Sequence, residues 1–219
     1  MILSLQNFTT IFFDLDDTLY PPSSGLWEQI SLRISHFMQE KLNLPKISIP
    51  AIREELYGTY GTTMRGLQAR YNINTQDFLS FVHDVPISEI LDPDPRIRRI
   101  INNCPLKKFI FTNADSIHAQ NVLSALNLLD CFDDIIDIQS ISPYCKPMPP
   151  AYEIACQISG EKYGKKCIML DDKVENLFTA KQFGFYTILV GGTGSIRKCD
   201  ATIQTISDLP QALPFCDEI

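Results

Sequence analysis

Short apolar runs rich in β-branched and aromatic residues punctuate the chain at 10–13, 108–111, 134–138, 167–170 and 186–190, with a weaker one near 201–203. Each is nearly continuous and not alternating, which is the pattern of a strand buried on both faces. Helical patterns separate the later runs. Residues 116–129 place Ile117, Val122, Leu126 and Leu129 at helix-like spacing, and Pro149-Pro150 opens a helix over 151–159. A third helix over 174–183 carries Leu177, Phe178 and Phe183 and stops at Gly184. Pro suits a first helical turn, and Gly suits the position after a last one. Strand and helix in alternation over 107–203 predict a parallel α/β sheet.

The first run stands apart from that array, because no strand pattern occurs between Tyr20 and about Asp94. Leu26, Ile30, Ile34, Met38 and Leu42 recur every fourth residue and describe an amphipathic helix. Ile52 with Leu56, Met64 with Leu67, and Phe78 with Val82 continue the helical theme to about residue 83. Pro21-Pro22 and Asp92-Pro93-Asp94-Pro95 read as hinges. The expected organisation is a sheet-bearing core of residues 1–20 and 95–219 around a helical insert of 21–94.

Composition narrows the classes of function. With 219 residues, 45% hydrophobic and 21% charged, the chain can bury a core, and one domain with an insert is expected. A net charge of −7 with no basic run predicts no binding to duplex nucleic acid or an anionic membrane. The seven cysteines include no C-x-x-C pair and are odd in number. That argues against a zinc ribbon or disulfide framework and fits a reducing cytosol. Met1–Gln6 lack the charged and apolar regions of a signal peptide. A soluble, cytoplasmic protein is expected; its oligomeric state is left open.

Carboxylates gather at predicted strand ends. Asp14-Leu15-Asp16-Asp17-Thr18 follows Ile11-Phe12-Phe13 directly, and Asp171-Asp172, with Asn176 shortly after, follows Ile168-Met169-Leu170. Like charges this close are costly unless a cation offsets them. Ligand sites in open α/β sheets lie at the carboxyl ends of strands, and an extended i, i+2 pair puts Asp14 and Asp16 on one face. A solvated turn with an Asp helix cap accounts for one carboxylate of each cluster and leaves the others unexplained. Oxygen ligands suit Mg²⁺, and the absence of clustered His or Cys argues against zinc. Thr112-Asn113 follows Phe109-Ile110-Phe111 at a helix start, where backbone N–H groups favour phosphate, although simple capping would explain it alone. Lys146 stands in a proline-rich loop, as many solvated lysines do.

Taken in order, Asp14, Asp16 and Thr18, then Thr112, then Lys146, then Asp171 and Asp172 form the motif set that the haloacid dehalogenase-like hydrolases carry, and the chain resembles that family along its whole length. The resemblance implies a Rossmann-like core with helices on both faces of the sheet and an inserted α-helical cap. It implies an aspartyl-phosphate mechanism in which Asp14 is the nucleophile and Asp16 the general acid and base. It implies Mg²⁺ held by Asp14, the Asp16 backbone carbonyl, Asp172 and Asp171, with Thr112, Asn113 and Lys146 on phosphate and Thr18 and Asn176 in support.

Tyr60-Gly61-x-x-x-Arg65-Gly66-Leu67, with Phe111-Thr112-Asn113-Ala114 and Leu170-Asp171-Asp172-x-x-x-Asn176, resembles the pyrimidine 5′-nucleotidase branch. That implies a small phosphate ester, UMP or CMP, as substrate, with lysophosphatidic acid or a sugar phosphate as alternatives. In this reading Tyr57 and Tyr60 offer aromatic faces to a base, Thr62 and Thr63 hydroxyls, and Arg65 a planar fork of donors; the bland alternative is that the tyrosines pack the cap and Arg65 is solvated. His36 is expected on the surface, His83 and His118 in structural roles, Trp27 in cap packing, and Gly191-Gly192-Thr193-Gly194 in a flexible loop. A 2-haloacid dehalogenase would not need Asp16, since a halide leaves without a proton. A phosphomutase would keep all the motifs. A receiver-type signalling domain places its acidic pair after the first strand and its acceptor later, the reverse of the order here. A binding protein that had lost catalysis would not be expected to keep every catalytic position filled.

Overall fold

The computed structural model describes residues 7–192 and 198–217. Met1–Gln6 and the Thr193-Gly194 part of the glycine loop lie outside the described residues. Six strands form one sheet: β1 (Thr10–Phe13), β2 (Lys107–Phe111), β3 (Asp134–Ile136), β4 (Cys167–Asp171), β5 (Tyr186–Val190) and β6 (Ala201–Ile203). Their order is β3-β2-β1-β4-β5-β6, and every pairing is parallel. β1 lies between β2 and β4 with all four residues buried, and β4 is buried along its whole length. That burial is why both read as unbroken apolar runs.

The chain steps outward from β1 to β3 on one side, then returns and steps outward from β4 to β6 on the other. Right-handed crossovers in opposite directions put the connecting helices on opposite faces. The reversal leaves a crevice outside the carboxyl ends of β1 and β4, where the following loops diverge. The fold is thus the Rossmann-like α/β arrangement expected. β3 is shorter than expected, because Asp137 turns to accept from the Ser116 N–H at 3.0 Å and the Ser140 N–H at 2.8 Å.

Between β1 and β2 the chain forms α1 (Leu26–Glu40), α2 (Ile49–Tyr60), α3 (Thr63–Tyr71), α4 (Thr75–Val82), α5 (Ile87–Ile90) and α6 (Pro95–Asn103). The first four pack on one another. Phe37 of α1 meets Phe78 of α4 edge-on at 5.0 Å. Gly66 of α3 lies so close to α2 that a Cβ there would stand 2.6 Å from the Leu56 Cβ. The expected hinge at 92–95 is in part a helix start: Asp94 Oδ1 accepts from the Arg96 N–H at 2.8 Å and caps α6, a helix the periodicity did not reveal. α5 leaves the four-helix group and packs on α7 (Ser116–Ala125).

The remaining helices are α8 (Pro149–Ser159), α9 (Val174–Gln182) and α10 (Leu209–Ala212). α7 ends earlier than its apolar spacing suggested, since Asn127 adopts a left-handed φ of 56°. Its expected apolar face is also rotated: Ile117 and Leu129 are exposed, while His118, Ala119, Val122 and Leu123 are buried. Phe178 of α9 is likewise exposed. All seven cysteines are free and buried. Among the described residues, no helix is long and apolar enough to cross a membrane.

Candidate active site

Asp14 is the first residue past β1, and its N–H donates to the Leu170 carbonyl at 2.9 Å, which sets it beside Asp171 at the end of β4. Ligand oxygens of Asp14, Asp171 and Asp172 lie within 4.8 Å of one another. Lys146 reaches between two of them, its Nζ 2.7 Å from Asp14 Oδ1 and 2.8 Å from Asp171 Oδ2. The lysine is 1% exposed. Burial opposes its charge, but the two carboxylates outweigh burial and hold its pKa above the usual lysine range. Burial also pushes the Asp14 carboxyl well above its ordinary value; Lys146 pulls it down, while Asp171 and Asp172 push it further up. Asp172, which pairs with Lys173, is raised by burial and by Asp171. Asp17 is pushed up to about 6 by burial and Asp172, and its buried Oδ1 has no hydrogen-bond partner among the described residues.

Two lysines, Lys146 and Lys173, against three clustered carboxylates leave negative charge uncompensated, and the donor set is all oxygen. These residues fit a hard divalent cation. Their support is specific. Asn176 Nδ2 donates to both oxygens of Asp171 at 2.9 Å, and the Lys173 N–H donates to Asp171 Oδ1 at 2.8 Å. Asn113 brackets the Lys146 backbone, accepting from its N–H and donating to its carbonyl. Thr112 is buried, with its hydroxyl accepting from the Ala114 N–H at 3.0 Å. The Thr18 hydroxyl is buried with no hydrogen-bond partner among the described residues.

Asp16 faces the same cleft and is held by residues that sequence reasoning did not select. Tyr20 Oη donates to Asp16 Oδ1 at 2.6 Å, and His118 Nε2 lies 2.9 Å from the same oxygen. Burial works against ionisation of Asp16, but His118 and Tyr20 outweigh it and lower its pKa. The His83 ring stacks on His118 with centroids 4.1 Å apart. Tyr20 sits four residues after Asp16, a spacing that could have been noticed; His118 is 102 positions away and leaves no local signal.

A cavity of about 530 Å³ opens onto this cluster, lined by Asp14, Asp16, Thr112, Asn113, Lys146 and Asp172 on the sheet side. The helices of 26–82 supply the opposite wall, largely apolar at Ile30, Ile34, Phe78 and Val82. Tyr57, Thr62 and Thr63 line it, as does Trp27, which is 42% exposed and thus not the packing residue expected. Thr62 also caps α3, accepting from the Arg65 N–H at 3.1 Å. Tyr60 and Arg65 do not line the cavity. The Arg65 guanidinium is neither solvated nor open to a ligand: it donates to the carbonyls of Ile138 at 2.8 Å and Tyr144 at 3.0 Å, fastening α3 to the loop that carries Lys146. Gly61, at φ +81° with Cys145 Sγ where a Cβ would go, completes that contact. Tyr60, Gly61 and Arg65 of the motif thus hold α2 and α3 against the loop that carries Lys146.

A family model for haloacid dehalogenase-like hydrolases matches residues 8–184. Phosphate metabolism protein 8 of Saccharomyces cerevisiae is 28% identical over 187 residues, covering 79% of this chain and 58% of the yeast protein, so the chain spans little more than half the length of that relative. Among solved structures, a phosphatase from Thermococcus onnurineus superposes with a TM-score of 0.64 at 17% identity, over 94% of this chain and 98% of the other. YfnB of Bacillus subtilis, solved bound to magnesium, superposes with a TM-score of 0.63 at 16% identity, over 94% and 99%.

Proposed function

Because the chain belongs to the haloacid dehalogenase-like hydrolases, we propose that it is a Mg²⁺-dependent phosphomonoesterase, and specifically a pyrimidine 5′-nucleotidase acting on UMP and CMP. The observation that carries the reading is the placement of Asp14: a buried carboxylate at the end of β1, beside Lys146, opening onto the cavity with Asp16 two residues on. Asp14 attacks phosphorus to give an aspartyl-phosphate as the bond to the leaving oxygen breaks, and Asp16, which takes up a proton as the anionic ester binds and raises its pKa against the pull of His118 and Tyr20, delivers that proton to the leaving oxygen. Asp16 then takes a proton from the water that cleaves the aspartyl-phosphate, restoring Asp14. Lys146 and Thr112 hold the transferring group, and Lys146 relieves the repulsion between an anionic nucleophile and an anionic ester. Asp14, Asp171, Asp172 and the Asp16 carbonyl would hold Mg²⁺, which when bound offsets phosphate charge.

In this reading residues 21–94 act as a cap and close the far side of the cavity. Trp27 and Tyr57 offer aromatic faces for a base, and Thr63 a hydroxyl, while Tyr60 and Arg65 serve the cap–core joint. The apolar wall at Ile30, Ile34, Phe78 and Val82 favours a second reading, a phosphomonoester with an apolar tail such as lysophosphatidic acid. Phosphate release with Mg²⁺ from UMP, CMP, AMP, GMP, lysophosphatidic acid, sugar phosphates and p-nitrophenyl phosphate tests both. Preference for UMP and CMP supports the nucleotidase, preference for the lipid supports the second reading, and no hydrolysis of any ester removes the phosphatase assignment.

A further inference from the structure

We propose that His118, steadied by His83, is a positioning residue for the Asp16 carboxyl, so that proton delivery to the leaving group depends on a contact between insert and core. The inference rests on the reading of Asp16 as the proton donor.

Both groups that hold Asp16 converge on one oxygen. Tyr20 Oη and His118 Nε2 contact Oδ1, and Oδ2 has no hydrogen-bond partner among the described residues. The terminal torsion of an aspartate is broad and soft. Fixing one oxygen with two donors selects one orientation and leaves the other oxygen for the substrate side. Misplacement of a reacting group by about 1 Å can cost on the order of a hundredfold in rate.

The ring that does this is itself fixed from outside α7. His118 is fully buried, and its Nδ1 has no hydrogen-bond partner among the described residues. Among the described residues, the ring's directed contacts are the bond to Asp16 and the face of His83, stacked at an interplanar angle of 20°. His83 follows α4 in the insert and lines the cavity. Asp115 ties the pair together: its Oδ1 accepts from the His118 N–H at 2.7 Å, and its Oδ2 lies 3.5 Å from His83 Nδ1. A shift of α4 away from the core would free the His118 ring and, through it, Asp16.

The test is the dependence of kcat/KM on leaving-group acidity, measured for the full chain with Mg²⁺ on substituted phenyl phosphates. A dinitrophenolate leaves without a proton, whereas an unsubstituted phenolate gains from one. For His118→Phe, which keeps a ring to stack but cannot donate, we expect a loss of roughly tenfold or more on phenyl phosphate and less than about threefold on 2,4-dinitrophenyl phosphate. His118→Gln should recover part of the loss, and His83→Ala should show the same pattern at smaller amplitude. Equal loss across the series would make His118 a packing residue and overturn the inference. Asp16→Asn serves as control: a uniform loss there would fault the proton-donor reading itself, and this inference with it. Should His118→Phe not fold, imidazole NMR of the unaltered protein and of Asp16→Asn decides. A His118 Nε2–H resonance that moves with the Asp16 change is expected, and an unmoved one overturns the proposal.

Discussion

Asn113 holds the backbone of Lys146 from both sides: its Oδ1 accepts from the Lys146 N–H at 2.8 Å, and its Nδ2 donates to the Lys146 carbonyl at 2.9 Å. The ammonium wedged between Asp14 and Asp171 is therefore aimed by an amide that follows a different strand. Asn113→Ala removes both bonds. It should lower kcat/KM by roughly ten- to a hundredfold and stability by about 1–3 kcal/mol. Steady-state kinetics and urea unfolding check this, and a fully active variant would show that Lys146 is placed without Asn113.

Asp14→Asn should be folded and inactive, with turnover reduced by at least about a thousandfold. The metal-free protein should melt no lower than the parent. Burial and the neighbouring carboxylates already disfavour the Asp14 anion, so a neutral amide relieves repulsion, and Lys146 keeps Asp171 as partner. Phosphate release and calorimetry without added metal measure the two halves. A marked fall in melting temperature would mean that the Asp14–Lys146 pair outweighs the repulsion.

Arg65→Ala should act on stability more than on substrate choice. The side chain is buried, and its loss strands the carbonyls of Ile138 and Tyr144, at a cost of about 2–4 kcal/mol. Arg65→Lys should not rescue it, because one ammonium cannot reproduce the planar fork. The ratio of KM for UMP to KM for p-nitrophenyl phosphate should stay within about threefold of the parent. A selective rise in KM for UMP would return Arg65 to the substrate.

Asp200 gives a pH-dependent prediction. Its carboxylate accepts from the Thr187 N–H at 2.9 Å, the Thr187 hydroxyl at 2.8 Å and Lys181 Nζ at 2.8 Å, joining the approach to β6 with β5 and α9. Burial works against its charge, but these partners outweigh burial and lower its pKa. A carboxyl lowered on folding contributes stability that is fully present above its unfolded value and lost as pH falls through the folded one. The gap in urea midpoint between parent and Asp200→Asn should be constant from about pH 7 to 5 and close below about pH 4. A gap independent of pH would show that the contribution is not the carboxylate's charge.

The parts of this molecule that were legible in the sequence are those where one residue type has one physical use. Ile11-Phe12-Phe13 and Ile168-Met169-Leu170 could only be strands covered on both faces, and the carboxylates after them could only be stacked up for a reason. Residues with two uses misled. His118 gives only the expectation of a structural role, and nothing local announces that its buried ring meets Asp16, 102 positions away. Arg65 reads as a donor for a ligand, and it donates to main-chain carbonyls instead. Ile117 and Phe178 read as core and lie exposed, since a helix turned by a fraction of its circumference changes which apolar residue faces the sheet.

The loop between β3 and α8 does two jobs within a few residues: Ile138 and Tyr144 receive the arginine that fastens the insert, and Lys146 enters the carboxylate cluster. Insert and loop are thus mechanically joined, although some seventy positions separate Arg65 from Ile138 in the chain. A chimera that exchanged residues 21–94 for a segment with no arginine at the place of Arg65 would leave the Ile138 and Tyr144 carbonyls without their donor, on the loop that carries Lys146. Exchanging the loop with the insert would transplant a working pair, so recombination in such a scaffold has a natural unit that is discontinuous in sequence.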